Sequence, residues 1–144
     1  MQQFLQNMPQ KHRFTLKLSS CPENINKVEP FLQQIRQRYN LSEELYFNML
    51  LVLTEAINNS ILHGNGADPC KNVMVKLRPS KAALSFTITD EGCGFNPDKL
   101  PDPTTPPCLL KPNGRGVFLM RKLSDYLQYS EDGTKVEIKF NIHS

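Results

Sequence analysis

The four cysteines are too scattered to build a metal or disulfide framework: Cys21, Cys70, Cys93 and Cys108 form no C-x-x-C pair and have no histidine at zinc-finger spacing. Free thiols and a reducing compartment are expected. No run of ~18 apolar residues occurs, and the start, MQQFLQNMPQKHR, lacks a basic leader followed by an apolar stretch and a small-residue cleavage site. The expectation is a cytoplasmic protein with no membrane contact. Charge of one sign is not in excess either. Seventeen basic against 14 acidic side chains leave a net +3, too even for a protein that relies on neutralising phosphate backbones, so direct nucleic-acid binding is not expected. The absence of G-x-x-x-x-G-K-[ST] excludes a P-loop, and G-x-G-x-x-G with a downstream acid is absent too. Without internal repeats, one compact unit must carry the function.

What is present is enough for one folded domain: 144 residues, of which 39% are apolar and 22% charged. Arg13–Ser19 alternates, with Phe14, Leu16 and Leu18 on one face, the period of a half-buried strand. Ile25, Val28, Phe31, Leu32 and Ile35 then recur at helical spacing, with Pro30 inside the run, where it must kink the helix or mark its true start. A longer helix is expected over 43–63. Ser42 can cap it, Glu43 and Glu44 suit its dipole, an apolar face runs from Leu45 to Ile57, and Gly64 suits its stop.

Asn72–Arg78 and Ala83–Thr89 read as a hairpin joined by PSKA. Six of the eleven prolines then crowd into 96–113, which makes this segment a long loop of the lid or binding type. VFLMRKLSD reads as a short helix, and DYLQYS and TKVEIKF as a second hairpin around Glu131-Asp132-Gly133. Hairpin-linked strands with grouped helices predict an α+β fold, a mostly antiparallel sheet with helices packed on one face.

Three clusters could carry chemistry. Glu55, Asn59 and His63 fall four apart on one face of the long helix, and Asn58-Asn59-Ser60 are poor helix formers there. A solvated face would explain them; so would a carboxylate and an amide oxygen placed to orient a nucleophile and a hydrated Mg²⁺, while a lone His63 suits capping or packing. Asp90-Glu91-Gly92-Cys93-Gly94 ends a strand, where a carboxylate can accept from an exocyclic amine and glycines allow close backbone approach. A plain turn is the other reading. Gly114-Arg115-Gly116 opens a helix, whose unpaired N–H groups favour phosphates.

Order and spacing join these clusters. E-A-I-N-N-S-x-x-H-G on a helix, D-E-G-x-G-F after a strand, a Pro-rich lid, G-R-G-V-F-L-M opening a helix and G-T-K-V-E-I in the last strand resemble the Bergerat-fold ATPases. Within that superfamily the chain is most similar to the bacterial anti-sigma-factor serine/threonine kinases, over roughly Phe14 to Phe140. The lid PDPTTPPCLLKP lacks the second glycine-rich stretch of Hsp90-type lids, which favours the small kinases.

The resemblance implies ATP and Mg²⁺ as ligands, with Glu55 as general base and Asn59 as nucleotide and Mg²⁺ ligand. It also implies Asp90 on the adenine amine, Gly92 and Gly94 shaping the pocket, and Thr134 supporting the base through water. Gly114, Arg115, Gly116 and Val117 would meet the phosphates. Implied partners are a small antagonist protein, phosphorylated on Ser or Thr, and a sigma factor held in alternation; homodimers are common in the family. A nucleotide-binding module of the same fold, acting by partner binding without phosphotransfer, is the alternative. Residues 1–12 are expected to be a tail and 13–144 a single ATP-binding domain, with 96–113 as its lid.

Overall fold

A computed structural model describes residues 14–92, 114–130 and 132–142 of the chain. Five strands, β1 (Thr15–Ser19), β2 (Asn72–Pro79), β3 (Ala83–Thr89), β4 (Tyr126–Tyr129) and β5 (Lys135–Asn141), form one sheet in the order β1-β2-β3-β5-β4. Every neighbouring pair is antiparallel. Side chains alternate across a strand, so one register settles which residues share a face. The row Leu16, Val75, Ile88, Val136 and Tyr129 crosses all five strands, and Leu77, Phe86, Ile138 and Leu127 make the next row on the same face. Phe86 and Phe140 meet edge to face at 6.2 Å and 78°. The opposite face carries Lys17, Lys76, Arg78 and Lys135, all exposed, which leaves it open to water.

Three helices cover the apolar face: α1 (Val28–Tyr39), α2 (Glu43–Asn59) and α3 (Gly114–Leu123). A 3-10 turn over Pro22–Lys27 precedes α1, and Pro30 falls in the first turn of α1, where a missing N–H costs nothing; the proline therefore marks the start and does not kink the helix. Asn40 closes α1 in the left-handed region at φ 52°. Ser42 then caps α2, its Oγ accepting from Leu45 N at 3.2 Å.

Val28, Phe31, Leu32 and Ile35 of α1 and Met49, Val52, Leu53, Ala56 and Ile57 of α2 join the inward strand residues in a single core. Truncating any of the larger ones to alanine is worth about 2–5 kcal/mol. Glu43–Gly64 is long and apolar enough to cross a bilayer by composition, a property shared by core helices whose apolar stripe is buried, as this one is.

The α+β reading and all five strands match the sequence expectations; the helix expected over 43–63 differs at its end. The α-helical ladder stops at Asn59, and Ser60–Gly64 winds as a π turn, closed by Asn65 N donating to Ser60 O at 2.8 Å. A π turn admits one extra residue into the ladder and rotates everything after it, and such turns are frequent at functional sites.

Candidate nucleotide site

The site runs along α2 and its terminal turn. At one end stands Glu55, half-buried, its carboxylate directly against Gly116 of α3: a Cβ at position 116 would lie 1.9 Å from Glu55 Oε1. Only glycine lets α3 approach this closely. Glu55 is also near enough to Tyr129 to raise its hydroxyl pKa, which burial chiefly pushes up to about 12 and Arg121 partly offsets. One turn further along α2 lies Asn59, 7% exposed, whose Nδ2 has no partner among the described residues. An orphaned buried amide costs roughly 1–3 kcal/mol, so its retention calls for a ligand or water.

The far end is built around Asp90, which is 9% exposed at the end of β3. Its N–H donates to Thr134 O at 2.9 Å, and its Oδ1 accepts from Gly92 N at 2.9 Å. Burial pushes the carboxyl up to about 6; the Gly92 N–H lowers it, Asp132 raises it and Lys71 lowers it. Thr134 is tied to the neighbouring turn, its N and Oγ1 donating to Asp132 Oδ1 at 3.1 and 2.9 Å. These bonds, with one from Ser130 Oγ, hold the exposed Asp132 below the usual carboxylate range.

The structure thus groups Asp90, Gly92 and Thr134 at one end and Glu55 with Gly116 at the other, with Asn59 on the helix that links them. Gly114 and Val117 lie in the first turn of α3. Arg115 belongs to the same turn, its side chain outside the described residues, as are Gly94 and the loop 96–113. His63 sits half-buried in the π turn. Among the described residues Cys21 and Cys70 are free thiols.

Sequence reasoning missed Asn65, 3% exposed and bonded to Ser20, Asn72 and Glu91, and saw in Gly64 only a helix stop. A G-N-G tripeptide looks like any turn, and three partners from distant segments leave no local periodicity.

A strand-end carboxylate facing a helix that bears a second carboxylate and a buried amide, under a second helix that starts with glycines, is the arrangement of a histidine kinase-like ATPase domain. The model of that family matches residues 18–140, and the chain belongs to this family. Its relatives include an anti-sigma F factor of Bacillus cytotoxicus, 35% identical over 121 residues that cover 82% of each chain. The serine/threonine-protein kinase BtrW of Bordetella bronchiseptica is 28% identical over 117 residues, 80% of this chain and 82% of that one. The serine-protein kinase RsbW of Listeria innocua is 24% identical over 131 residues, 86% of this chain and 83% of that one. In fold the chain is similar to the histidine kinase domain of a blue-light activated histidine kinase from Erythrobacter litoralis. That likeness has a TM-score of 0.51 at 15% identity and covers 90% of this chain and 68% of that one. The anti-sigma-factor kinases are therefore the branch to which the chain is related.

Proposed function

We propose that this protein is an ATP-dependent serine/threonine kinase of the anti-sigma-factor type, which phosphorylates a small antagonist protein and, in alternation, sequesters a sigma factor in the cytoplasm. The observation that carries the reading is the buried amide of Asn59, its Nδ2 without a partner among the described residues, set on one helix between the Glu55 carboxylate and the turn that packs on Asp90. The names of the relatives support the pairing of kinase and anti-sigma roles.

Asp90 would accept the exocyclic amine of adenine, with Gly92 leaving the base room and Thr134 fixing the strand beside it. The backbone N–H groups of α3's first turn, at Gly114 to Val117, would meet the phosphates. Mg²⁺ fits as a shared ligand: Asn59 offers one hard oxygen, and among the described residues no group of three His, Cys, Asp or Glu side chains converges. Phosphate oxygens and water would complete its shell. When bound, the ion would supply neutralisation of phosphate charge.

Glu55 would take the proton of the incoming Ser or Thr hydroxyl as its oxygen bonds to the γ-phosphorus. The bond from that phosphorus to the β–γ bridging oxygen breaks, and ADP leaves with the electron pair. Because such transfers are mostly a matter of position, the rigid helix under Glu55 and Asn59 is the main catalytic device.

The test is incubation of the purified chain with labelled ATP, Mg²⁺ and a candidate antagonist protein. Phosphoserine or phosphothreonine on that protein is the expected result. ATP binding without transfer to any candidate would favour the purely regulatory module, and no ATP binding at all would overturn both.

A further inference from the structure

Asn65 spends its whole side chain on three separate segments. Nδ2 donates to Ser20 Oγ at 2.7 Å, just after β1, and to Asn72 O at 3.0 Å, at the start of β2. Oδ1 accepts from Glu91 N at 2.8 Å, just after β3. The three contacts fix the amide's orientation, since turning it over would set an NH₂ against an N–H. The bond to Glu91 matters because that N–H belongs to the peptide joining Asp90 to Glu91. The peptide on the other side of Asp90 is held by Thr134 O. Both peptide planes flanking Asp90 are therefore pinned, one of them by Asn65.

Gly64, the residue before Asn65, acts on the carboxylate itself. Asp90 Oδ1 is engaged by Gly92 N, and among the described residues Oδ2 has no hydrogen bond, which makes it the oxygen left for a ligand. A Cβ at Gly64 would lie 2.3 Å from that Oδ2 and 2.6 Å from Cγ, so any side chain there would push the carboxylate aside. Gly92 is packed just as closely on the Gly64 carbonyl, 1.6 Å from where its own Cβ would be. The π turn delivers both residues to these places.

From this we infer that Gly64 and Asn65 are positioning residues that set nucleobase selectivity: they hold Asp90 rigid with Oδ2 presented, so that a purine bearing an amine is accepted and one bearing a carbonyl at that place is refused. The inference deepens the kinase reading and rests on it. A carboxylate free to swing could turn its oxygen away from a carbonyl; a pinned one cannot, and like charges or lone pairs then repel.

The experiment measures ATP and GTP affinity by calorimetry on the full chain and hydrogen exchange at the Glu91 amide without nucleotide, for wild type, Asn65→Leu, Ser20→Ala and Gly64→Ala. Asn65→Leu should expose the Glu91 amide, weaken ATP about tenfold or more, and lower the ATP-to-GTP preference. Its transfer rate at saturating ATP should stay within about threefold of wild type, because the chemistry sits at Glu55. Ser20→Ala removes another of Asn65's buried bonds but leaves Glu91 held, so its nucleotide preference should match wild type.

Equal loss of ATP affinity in Asn65→Leu and Ser20→Ala, or an unchanged ATP-to-GTP ratio in Asn65→Leu, would overturn the inference. If Asn65→Leu does not fold, Gly64→Ala decides, since the three atoms nearest to an alanine Cβ there all belong to the Asp90 carboxylate; wild-type ATP affinity in that variant sinks the idea. A wild-type chain that binds no nucleotide refutes the kinase reading and, with it, the selectivity role, whereas normal wild-type binding with indifferent variants refutes only the latter.

Discussion

The two ends of the site are built on opposite plans. Around Asp90 the protein satisfies its own polar groups: two flanking peptides are bonded, Oδ1 is bonded, and Asn65 has a partner for each N–H and for its oxygen. Around Glu55 and Asn59 it leaves them unsatisfied or merely in contact among the described residues, with a buried Nδ2 that lacks a partner there and a carboxylate pressed on a glycine. The first plan suits a flat, rigid base that must be told from its rivals. The second suits phosphates, which bring their own charge, water and cation and need open valences to meet. Preorganisation belongs where selectivity is decided, and unspent polarity where charge arrives.

Breaking the comparison at the catalytic end should give the largest effect. Glu55→Ala should cut phosphotransfer by about 10²–10⁴ while ATP binding is retained, read by single-turnover transfer beside calorimetry. Equal loss of both would mean the two ends are not separable.

At the opposite end, Asp90→Asn should weaken ATP by about tenfold or more, as a charge-assisted bond is replaced by a neutral one, with transfer at saturating ATP much less affected. Thermal unfolding should show the variant at least as stable as the parent near neutral pH, because burial disfavours the Asp90 charge in the folded state.

That last point carries a pH dependence with a definite sign. The Asp90 pKa lies at about 6 in the folded protein, above the 3.8 of the free side chain, so the folded state takes up its proton first. The contribution of this group to stability therefore grows as pH falls from about 7 through 6 toward 4, the reverse of a salt-bridged carboxylate. Affinity for ATP should fall over the upper part of the same window. Asp132 raises and Lys71 lowers the midpoint of that window. Asp90→Asn should abolish both trends; persistence of the ATP trend in that variant would assign it to another group.

The smallest effect lies outside both ends. Ser42→Ala removes the cap of α2 and should cost about 1 kcal/mol of stability by denaturant titration, with no change in nucleotide affinity or transfer. A change in either would show that the far end of the helix is felt at the site.

Strands and helices were legible because their apolar residues repeat at 2 or 3.6, as Val73, Val75 and Leu77 do in β2 and Met49, Val52, Leu53 and Ala56 do in α2. The family motifs made Glu55, Asn59 and Asp90 stand out as candidates. Two things were hidden. The π turn was one, since SILHG reads equally well as α-helix and only the bond from Asn65 to Ser60 distinguishes them. The long-range duty of Asn65 was the other, because its partners lie 45, 26 and 7 residues away and no spacing rule connects them. Pro30 was legible only as a choice between two outcomes, and the geometry of the 3-10 turn before it made the decision.

The extra residue in the π turn makes this stretch of the chain intolerant of regularity in an unusual way. If Ser60–Gly64 wound as ordinary α-helix with its length unchanged, the ladder would gain in local regularity but everything beyond it would swing by about 100° around the axis. Asn65 would then face away from Glu91, and the carboxylate at Asp90 would lose its fixed heading while the core beneath α2 stayed whole. A lineage that drifted toward the better helix would keep its core yet lose the bond that orients the Asp90 backbone, so this segment is held to an irregular winding that helix propensity alone would remove.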